Sequence, residues 1–225
     1  MNITYIAIVE EMHYLRYKYL RQLIHDIKDA DDELIVVNKV KDYRTLESVN
    51  TSGEDWIKTL DLFNIEDDFK LKMIGSTHAK NEFLAFISPF GYYNSKSLVN
   101  IKKELSKGDY DATIFSSGFI VNPLNGYCFK ALNKSNVAVN SLIFHKKYLD
   151  KIINYNGSAN ASLYYALRSD GKVLMLDNKL SYVEFIPFYN DSLVEKVHFL
   201  DDSSNSINKK FLSGALKYLR KSLIN

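Results

Sequence analysis

Two neighbouring carboxylates, Glu10 and Glu11, directly follow an apolar run from Ile3 to Val9. Such a run, rich in β-branched residues, predicts a strand that is covered on both faces in a parallel sheet. Carboxylates at the end of a strand can take or give protons in a reaction. The same pair would also stabilise the amino end of a following helix, where the helix dipole is positive. Both interpretations place Glu10 and Glu11 at the carboxyl edge of a sheet.

A second stretch that points to ligand binding runs from Lys80 to Leu98. It contains a short apolar strand, Phe83 to Ile87, that leads into Ser88-Pro89-Phe90-Gly91, a sequence typical of a turn. Two tyrosines and a helical pattern that begins at Ser95 follow this turn. An α/β sheet delivers loops of this kind to its carboxyl edge, where ligands bind.

The elements around these stretches predict an α/β fold. Apolar residues recur at helical spacing from Met12 to Lys28, and Glu33 to Val37 forms a second buried strand. A strand, a helix and a strand in this order imply parallel strands joined by a right-handed crossover. No Gly-rich phosphate-binding sequence joins the first strand to its helix, which disfavours both a dinucleotide-binding Rossmann site and a P-loop.

Similar patterns place the remaining elements. In the first half we predict helices at Asp42 to Asn50, Glu54 to Phe63 and Ser95 to Leu105, and a strand at Lys70 to Ile74. In the second half we predict strands at Asp111 to Phe115, Val137 to Phe144, Lys172 to Leu176 and Ser181 to Ile186, a hairpin formed by Phe119 to Val121 and Tyr127 to Phe129, and helices at His145 to Ile153 and Ser158 to Arg168. We therefore expect a largely parallel amino-terminal sheet and a mixed carboxy-terminal half.

Length and composition bound the class of protein. The chain has 225 residues and a formal net charge of +2, which is too small to predict a polyanionic partner. We expect one domain over residues 1–200, and at 201–225 an amphipathic helix, Ser206 to Leu223, that packs on the domain or mediates homo-oligomerisation. No apolar run reaches the length of a membrane span, and the single Cys128 fits a reducing compartment. The sequence thus predicts a cytoplasmic protein without a transmembrane segment.

Four segments of the chain carry a resemblance to a known family: Asn81 to Ile87, Tyr92 to Leu98, Asn140 to Leu149 and Leu163 to Val173. They resemble the family 2 glycosyltransferases, which have the GT-A fold. They are similar, in that order, to the strand before the family's metal-binding motif, the segment after that motif, the acceptor-side strand and helix, and the late helix and turn. The resemblance implies a Rossmann-like sandwich with a mixed sheet that uses a nucleotide-sugar donor.

The chain departs from the family's pattern at two functional motifs. The family's Asp-x-Asp motif, which holds a divalent metal and the donor diphosphate, corresponds here to Ser88-Pro89-Phe90. Mn²⁺ and Mg²⁺ prefer carboxylate oxygens, so this degenerate motif disfavours a metal cofactor. Where the family carries its catalytic aspartate, the sequence has Ala159, Asn160, Ala161 and Ser162, which include no carboxylate base.

The resemblance also implies which residues would replace these groups. An acceptor base would come from Glu10, Glu11 or His13, near the end of the first strand. Asn38 stands where the family has an acid that recognises the base of the nucleotide, and cationic side chains would neutralise the leaving diphosphate. The residues expected to bind the nucleotide sugar are Val9, Asn38, Lys39, Lys80, Ser88, Phe90 and Arg168.

Two functions fit this set of matches and departures. The first is metal-independent transfer of a sugar from a nucleotide-sugar donor to a glycan, protein or nucleic-acid acceptor. The second is a catalytically inactive GT-A-like module that binds a nucleotide, a glycan or a partner protein. An open pocket beneath Ser88 to Gly91 would favour the first, whereas a pocket filled by Phe90, Tyr92 or Tyr93 would favour the second.

Overall fold

The secondary-structure elements follow one another in an α/β order. The computed structural model describes residues 1–10, 14–41, 54–115, 117–121, 128–132, 143–150, 167, 169, 171–176, 182–185 and 197–199. Within these residues the helices are α1 (Tyr14–Ile27), α2 (Asp68–Thr77) and α3 (Ser95–Leu105), and a 3₁₀ turn spans Lys146–Tyr148. The strands are β1 (Ile3–Val9), β2 (Glu33–Asn38), β3 (Ile57–Asp61), β4 (Phe83–Ile87), β5 (Gly91–Tyr93), β6 (Ala112–Phe115), β7 (Ser117–Val121), β8 (Cys128–Leu132), β9 (Ile143–His145), β10 (Val173–Leu176), β11 (Tyr182–Phe185) and β12 (Val197–Phe199).

The strands form a large and a small sheet. Among the described residues, the large sheet has seven strands in the order β10-β6-β9-β4-β1-β2-β3. Its strands β4, β1, β2 and β3 run parallel, whereas β9 is antiparallel to both β4 and β6. The smaller sheet has the order β12-β8-β7-β11-β5 within the same described residues. The predicted α/β class, the parallel amino-terminal sheet and the mixed second half are therefore confirmed.

The core lies on both faces of the large sheet, with β1 at its centre. All seven residues of β1 are buried, as the sequence predicts for a strand covered on both sides. Alternate side chains point to opposite faces because a strand has a period of two. Ile3, Tyr5, Ala7 and Val9 join the cluster that contains apolar residues of α1 and α3, and Ile6 and Ile8 join the cluster that contains Leu71 of α2.

Two predictions in the first half are wrong. The helix predicted from Glu54 to Phe63 contains β3 instead, and the strand predicted from Lys70 to Ile74 lies inside α2. β3 is an edge strand of the large sheet, and none of its residues is fully buried. Its sequence shows no clear alternation of apolar and polar residues. The three-residue spacing of Ile57 and Leu60 fits one face of a helix, whereas in a strand these side chains point to opposite faces, which explains the error.

A side-chain cap and close packing against the sheet explain why α2 is a helix. The Asp67 carboxylate caps its amino end by accepting hydrogen bonds from the backbone N–H groups of Phe69 and Lys70 at 2.9 and 3.2 Å. Gly75 then lets the helix approach the sheet closely, because a Cβ atom there would lie 2.9 Å from Cγ2 of Ile6. The cap and this close approach stabilise a helix in a stretch whose short apolar run alone indicates a strand.

Several other predicted elements within the described residues are confirmed. The strands at Ile3–Val9 and Phe83–Ile87 and the helix at Ser95–Leu105 have the predicted bounds. The predicted hairpin forms, since β7 and β8 pair in antiparallel fashion. The predicted helices at 42–50 and 206–223, and the expected boundary near residue 200, lie outside the described residues. In the part of the chain that is described, no helix is both long and apolar enough to cross a membrane.

A buried ion pair connects α3 to the amino edge of the large sheet. The Lys102 ammonium lies 2.6 Å from carboxylate oxygens of both Asp29 and Asp32. Asp32 has no exposed side-chain surface, and its second oxygen accepts a hydrogen bond from the backbone N–H of Ile3 at 2.7 Å. The charges are thus satisfied within the protein, which is the condition for a buried ion pair to be tolerated.

Removal of the Lys102 ammonium tests the energetic role of this pair. We expect Lys102→Ala to lower the free energy of unfolding by about 3–5 kcal/mol, because Asp32 would remain buried without its countercharge. Lys103 is exposed on the same helix, and Lys103→Ala should change stability by less than about 0.5 kcal/mol. Urea unfolding followed by circular dichroism measures both values. Equal losses of unfolding free energy in the two variants would contradict a stabilising role of the Lys102 ion pair.

Candidate functional site at the carboxyl edge

The carboxyl ends of four parallel strands lie side by side, because β4, β1, β2 and β3 are neighbours in the large sheet. Polar side chains stand at or directly after each of these ends. We define the carboxyl edge by Ser88 after β4, Glu10 after β1, Asn38 and Lys39 at the end of β2, and Asp61 at the end of β3. This edge is the place at which open α/β sheets bind ligands.

An ion pair joins the ends of β1 and β2. The Lys39 ammonium lies 2.5 Å from Oε1 of Glu10 and 3.5 Å from Oδ1 of Asp68, which is the first residue of α2. The Lys39 side chain is only 17% exposed, so it is held close to the sheet rather than extended into solvent. Its backbone N–H donates to the carbonyl of Val9 at 2.8 Å. The predicted base Glu10 and the predicted cation Lys39 therefore contact each other directly.

The environment keeps this lysine charged. Burial lowers the pKa of Lys39, but the hydrogen bond and the charge of Glu10, with smaller contributions from Asp68, outweigh burial and raise that pKa above its usual value. Lys39 is consequently protonated at neutral pH. It provides a fixed positive charge between two strand ends.

Asn38 is buried and acts within the protein. It has no exposed surface, its Nδ2 donates to Oδ1 of Asp61 at 2.8 Å, and its Oδ1 accepts from the backbone N–H of Val40 at 3.0 Å. The sequence predicts direct contact between Asn38 and a nucleotide, but a side chain without exposed surface cannot make that contact in this conformation. The amide instead orients the carboxylate of Asp61.

Sequence reasoning missed Asp61. Its segment was predicted as a helix, and in a helix Asp61 would have no fixed relation to the end of β2. In the structure Asp61 is the last residue of β3 and the direct partner of Asn38 in the parallel register. The signal that could have identified it is the polar residue at the end of a short run with β-branched residues, Ile57 and Thr59.

The turn after β4 is closed by its own hydrogen bonds. The Ser88 carbonyl accepts from the backbone N–H of Gly91 at 2.8 Å, and the Ser88 hydroxyl accepts from that of Phe90 at 3.1 Å. Pro89 occupies the second position of this four-residue turn, where its fixed φ is favourable. Ser88 and half-buried Phe90 therefore stand where the sequence predicts, at the carboxyl end of β4.

Tyr93 supports this turn from within the protein. Its hydroxyl accepts a hydrogen bond from the backbone N–H of Ser88 at 2.7 Å, and its side chain is buried. A Cβ atom at position 91 would lie 2.5 Å from Cε2 of Tyr93, so only glycine fits against the ring. Tyr93 thus occupies the space beneath Ser88 to Gly91. It is one of the three aromatic residues that could fill this pocket according to the sequence.

The residues that correspond to the metal-binding motif do not fit a divalent cation. The Phe90 side chain offers no ligand atom, and the neutral Ser88 hydroxyl already accepts a hydrogen bond from the Phe90 N–H. Within the described residues, no group of three or more His, Cys, Asp or Glu side chains could hold a metal ion. A divalent metal at this motif position would lack the carboxylate oxygens that it prefers.

Two further predicted site residues, Lys80 and Val9, lie within the described structure. Lys80 precedes β4 and therefore lies at the amino edge of the sheet, where its backbone N–H donates to Oε1 of Glu33 at 2.7 Å. This corrects its expected position, because the direction of β4 separates Lys80 from Ser88. The side chain of Val9 is fully buried in the core. The residues Glu11, His13 and Arg168 lie outside the described part of the chain.

The fold is similar to that of solved nucleotide-sugar enzymes. A crystal structure of S. aureus TarS 1-349, a family 2 glycosyltransferase, superposes with a TM-score of 0.63 at 16% identity, over 82% of this chain and 60% of that one. The same fragment in complex with UDP-GlcNAc gives a TM-score of 0.61 at 15% identity, over 84% and 60%. A structure described as a glucose-1-phosphate thymidylyltransferase from Bacillus anthracis gives 0.53 at 9% identity, over 95% of both chains.

These similarities show the fold. The chain has a GT-A-like α/β fold, as the sequence resemblance implies, and it spans about 60% of the length of the crystallised TarS fragment. No protein-family model and no curated protein sequence matches the chain.

Loss of the Tyr93 hydroxyl tests the support of the Ser88 turn. We expect Tyr93→Phe to reduce the free energy of unfolding by about 1–3 kcal/mol, because the buried N–H of Ser88 would lose its acceptor. Half-buried Tyr110 provides the matched control, and Tyr110→Phe should change stability by less than about 0.5 kcal/mol. Thermal and urea unfolding measure the difference. A Tyr93→Phe protein as stable as the control would show that water replaces the hydroxyl.

Proposed function

We propose that the carboxyl edge binds a nucleotide-sugar donor and that the chain transfers the sugar to an acceptor hydroxyl without a metal ion at Ser88 and Phe90. The observation that carries this proposal is the Glu10–Lys39 ion pair at the ends of two adjacent parallel strands in a GT-A-like fold. TarS, which has a similar fold, has been crystallised with UDP-GlcNAc and with UDP. Lys39 is a fixed cation at this edge. It provides the positive charge that Ser88-Pro89-Phe90 cannot provide by binding a metal ion.

Lys39 is the proposed partner of the donor diphosphate. A lysine ammonium has three N–H groups, of which Glu10 and Asp68 accept two. The third would be donated to a phosphate oxygen of the donor. Since Lys39 is protonated at neutral pH, it would also stabilise the negative charge that develops on the diphosphate when the bond to the sugar breaks.

Glu10 is the proposed base. Its carboxylate is about one third exposed and lies beside Lys39, so it can be reached by an acceptor hydroxyl at the carboxyl edge. In the transfer step the acceptor oxygen bonds to the anomeric carbon, the bond from that carbon to the diphosphate breaks, and the hydroxyl proton passes to Glu10. Glu11 and His13 remain alternative bases from the sequence prediction, and Arg168 a further candidate cation.

A specific observation also favours the second function, a non-catalytic binding module. Tyr93 occupies the space beneath the Ser88 turn, and Lys39 is already neutralised by two carboxylates of the protein. A module of this kind would bind a nucleotide sugar or a glycan at the carboxyl edge without turning it over. A module that binds a nucleotide sugar makes the same prediction for donor binding as the transferase and the opposite prediction for donor consumption.

The acceptor and the assembly state belong to the same proposal. The acceptor hydroxyl would come from a glycan, a protein or a nucleic acid. The amphipathic helix predicted at 206–223 would pack on the domain or join two copies of the chain. Light scattering on the full chain and on a chain ending at residue 200 distinguishes these two roles, since only the second role makes the mass depend on the helix.

Calorimetric titration tests the donor site. We expect UDP or GDP and the corresponding sugars to bind equally well, within twofold, in EDTA and in Mn²⁺, because the site uses Lys39 in place of a metal. Lys39→Ala should weaken nucleotide binding about tenfold or more, the value of a charge-assisted hydrogen bond. The matched control is Lys107→Ala, which removes another lysine paired to a glutamate, on the segment that follows α3.

The same titrations have outcomes that would contradict the proposal. If no nucleotide or nucleotide sugar binds, the donor site and the transferase are wrong, and a module that binds a glycan or a partner protein is favoured. If binding requires Mn²⁺, the metal-independent role of Lys39 is wrong. Release of free nucleotide from a bound nucleotide sugar supports the transferase, and its absence in the presence of glycan, protein and nucleic-acid mixtures supports the binding module.

A further inference from the structure

Lys39 is paired with two carboxylates that differ in distance and in exposure. Oε1 of Glu10 lies 2.5 Å from the Lys39 ammonium, and Oδ1 of Asp68 lies 3.5 Å from it. The Asp68 side chain is 64% exposed, whereas that of Glu10 is 36% exposed. Among the described residues, Asp68 is therefore the longer and more solvent-accessible of the two ion-pair partners of Lys39.

Asp68 stands at the carboxyl edge because α2 begins there. It is the first residue of α2, and the helix dipole favours a carboxylate in this turn. The cap of α2 is the preceding residue, Asp67, whose side chain accepts from the backbone N–H groups of Phe69 and Lys70. The Asp68 carboxylate is thus not needed for the cap, and its charge acts on Lys39 and on whatever Lys39 binds.

A phosphate bound to Lys39 would lie close to Asp68. Two oxygens that accept from the same ammonium are about 5 Å apart, because its N–H groups point to the corners of a tetrahedron. Both groups would be negative and would repel each other. In water, the repulsion of two unit charges roughly 6 Å apart corresponds to about threefold in affinity. Asp68 therefore penalises each further negative charge that a ligand carries at this place.

A free nucleoside diphosphate and a nucleotide sugar differ by one such charge. The terminal phosphate of the free diphosphate has a second ionisation with a pKa of about 6, the usual value for a monosubstituted phosphate. In the nucleotide sugar the sugar is bonded to that phosphate, and the second ionisation is absent. Above neutral pH the free diphosphate therefore carries one more negative charge, on the phosphate from which the sugar has been removed.

We infer that Asp68 is a specificity-determining residue that makes the carboxyl edge discriminate against free nucleoside diphosphates relative to nucleotide sugars. This inference rests on the proposed function of the carboxyl edge. In a transferase, the discrimination weakens binding of the nucleoside diphosphate that is left after transfer. In a module that only binds, it prevents free nucleotide from occupying the site of the nucleotide sugar.

Calorimetric titration of the full chain in EDTA, at about pH 7.5, tests this inference. The probes are UDP with UDP-GlcNAc, and GDP with GDP-mannose. Asp68→Asn removes the charge and keeps the size of the side chain. We expect this variant to tighten binding of the free diphosphate about threefold more than binding of the corresponding nucleotide sugar. The buffer has an ionic strength of about 10 mM, because more salt would screen charges at this separation.

The chain offers two matched control variants. Asp68→Glu keeps the charge, so the ratio of the two affinities should stay as in the unmodified chain. Glu66→Gln removes a charge from an exposed side chain two residues earlier and should also leave this ratio unchanged. A titration at about pH 5 adds a check on the ligand, since the free diphosphate has lost most of its additional charge there. The effect of Asp68→Asn on the ratio should then largely disappear.

The outcomes separate this inference from the proposed function on which it rests. An equal gain, or a loss, of affinity for both ligands in Asp68→Asn would overturn the role of Asp68 and leave the donor site standing. The same change of ratio in Glu66→Gln would also overturn it, because the effect would then come from the overall charge of the surface. Absence of binding by every probe, in the unmodified chain and in Asp68→Asn, would overturn the proposed function and the inference with it.

Discussion

The parallel pairing of β1 with both β2 and β4 is the constraint on which the structure depends. It buries every residue of β1 and divides its side chains between two apolar clusters, so helices can cover both faces of the sheet. It also fixes the direction of the strands. Because neighbouring parallel strands end at the same edge, Glu10, Lys39 and Ser88 meet there although they are far apart in the sequence.

The charged and polar groups at this edge form hydrogen bonds and ion pairs with other groups of the protein. Glu10 and Asp68 accept hydrogen bonds from Lys39, and Asn38 orients Asp61, so each polar group is held by another before any ligand arrives. A preorganised site of this kind does not have to reorganise when charge develops on a ligand. The cost is that a ligand competes with these existing partners, whether the chain transfers a sugar or only binds one.

The accuracy of the sequence predictions follows the local strength of the apolar pattern. β1 and β4 are continuous apolar runs, and α3 has an apolar face at helical spacing, so all three were predicted with correct bounds. A helix was predicted where β3 lies and a strand where α2 lies. The apolar pattern is weak in both, because β3 is a half-exposed edge strand and α2 buries only Leu71, Gly75 and Ser76. In both cases nonlocal contacts with the sheet select the conformation, and a short window of sequence does not contain those contacts.

The sequence by itself determined the α/β class, the mixed sheet and the delivery of Ser88-Pro89-Phe90-Gly91 to the carboxyl edge, because these depend on local periodicity and on turn residues. Only the tertiary structure decided which side chains share that edge. In the structure Asp61 lies beside Asn38, Lys80 lies at the amino edge of the sheet, and the Tyr93 ring lies against Gly91. The physical reason is that strand order and register arise from pairing between distant segments, which local sequence patterns do not encode.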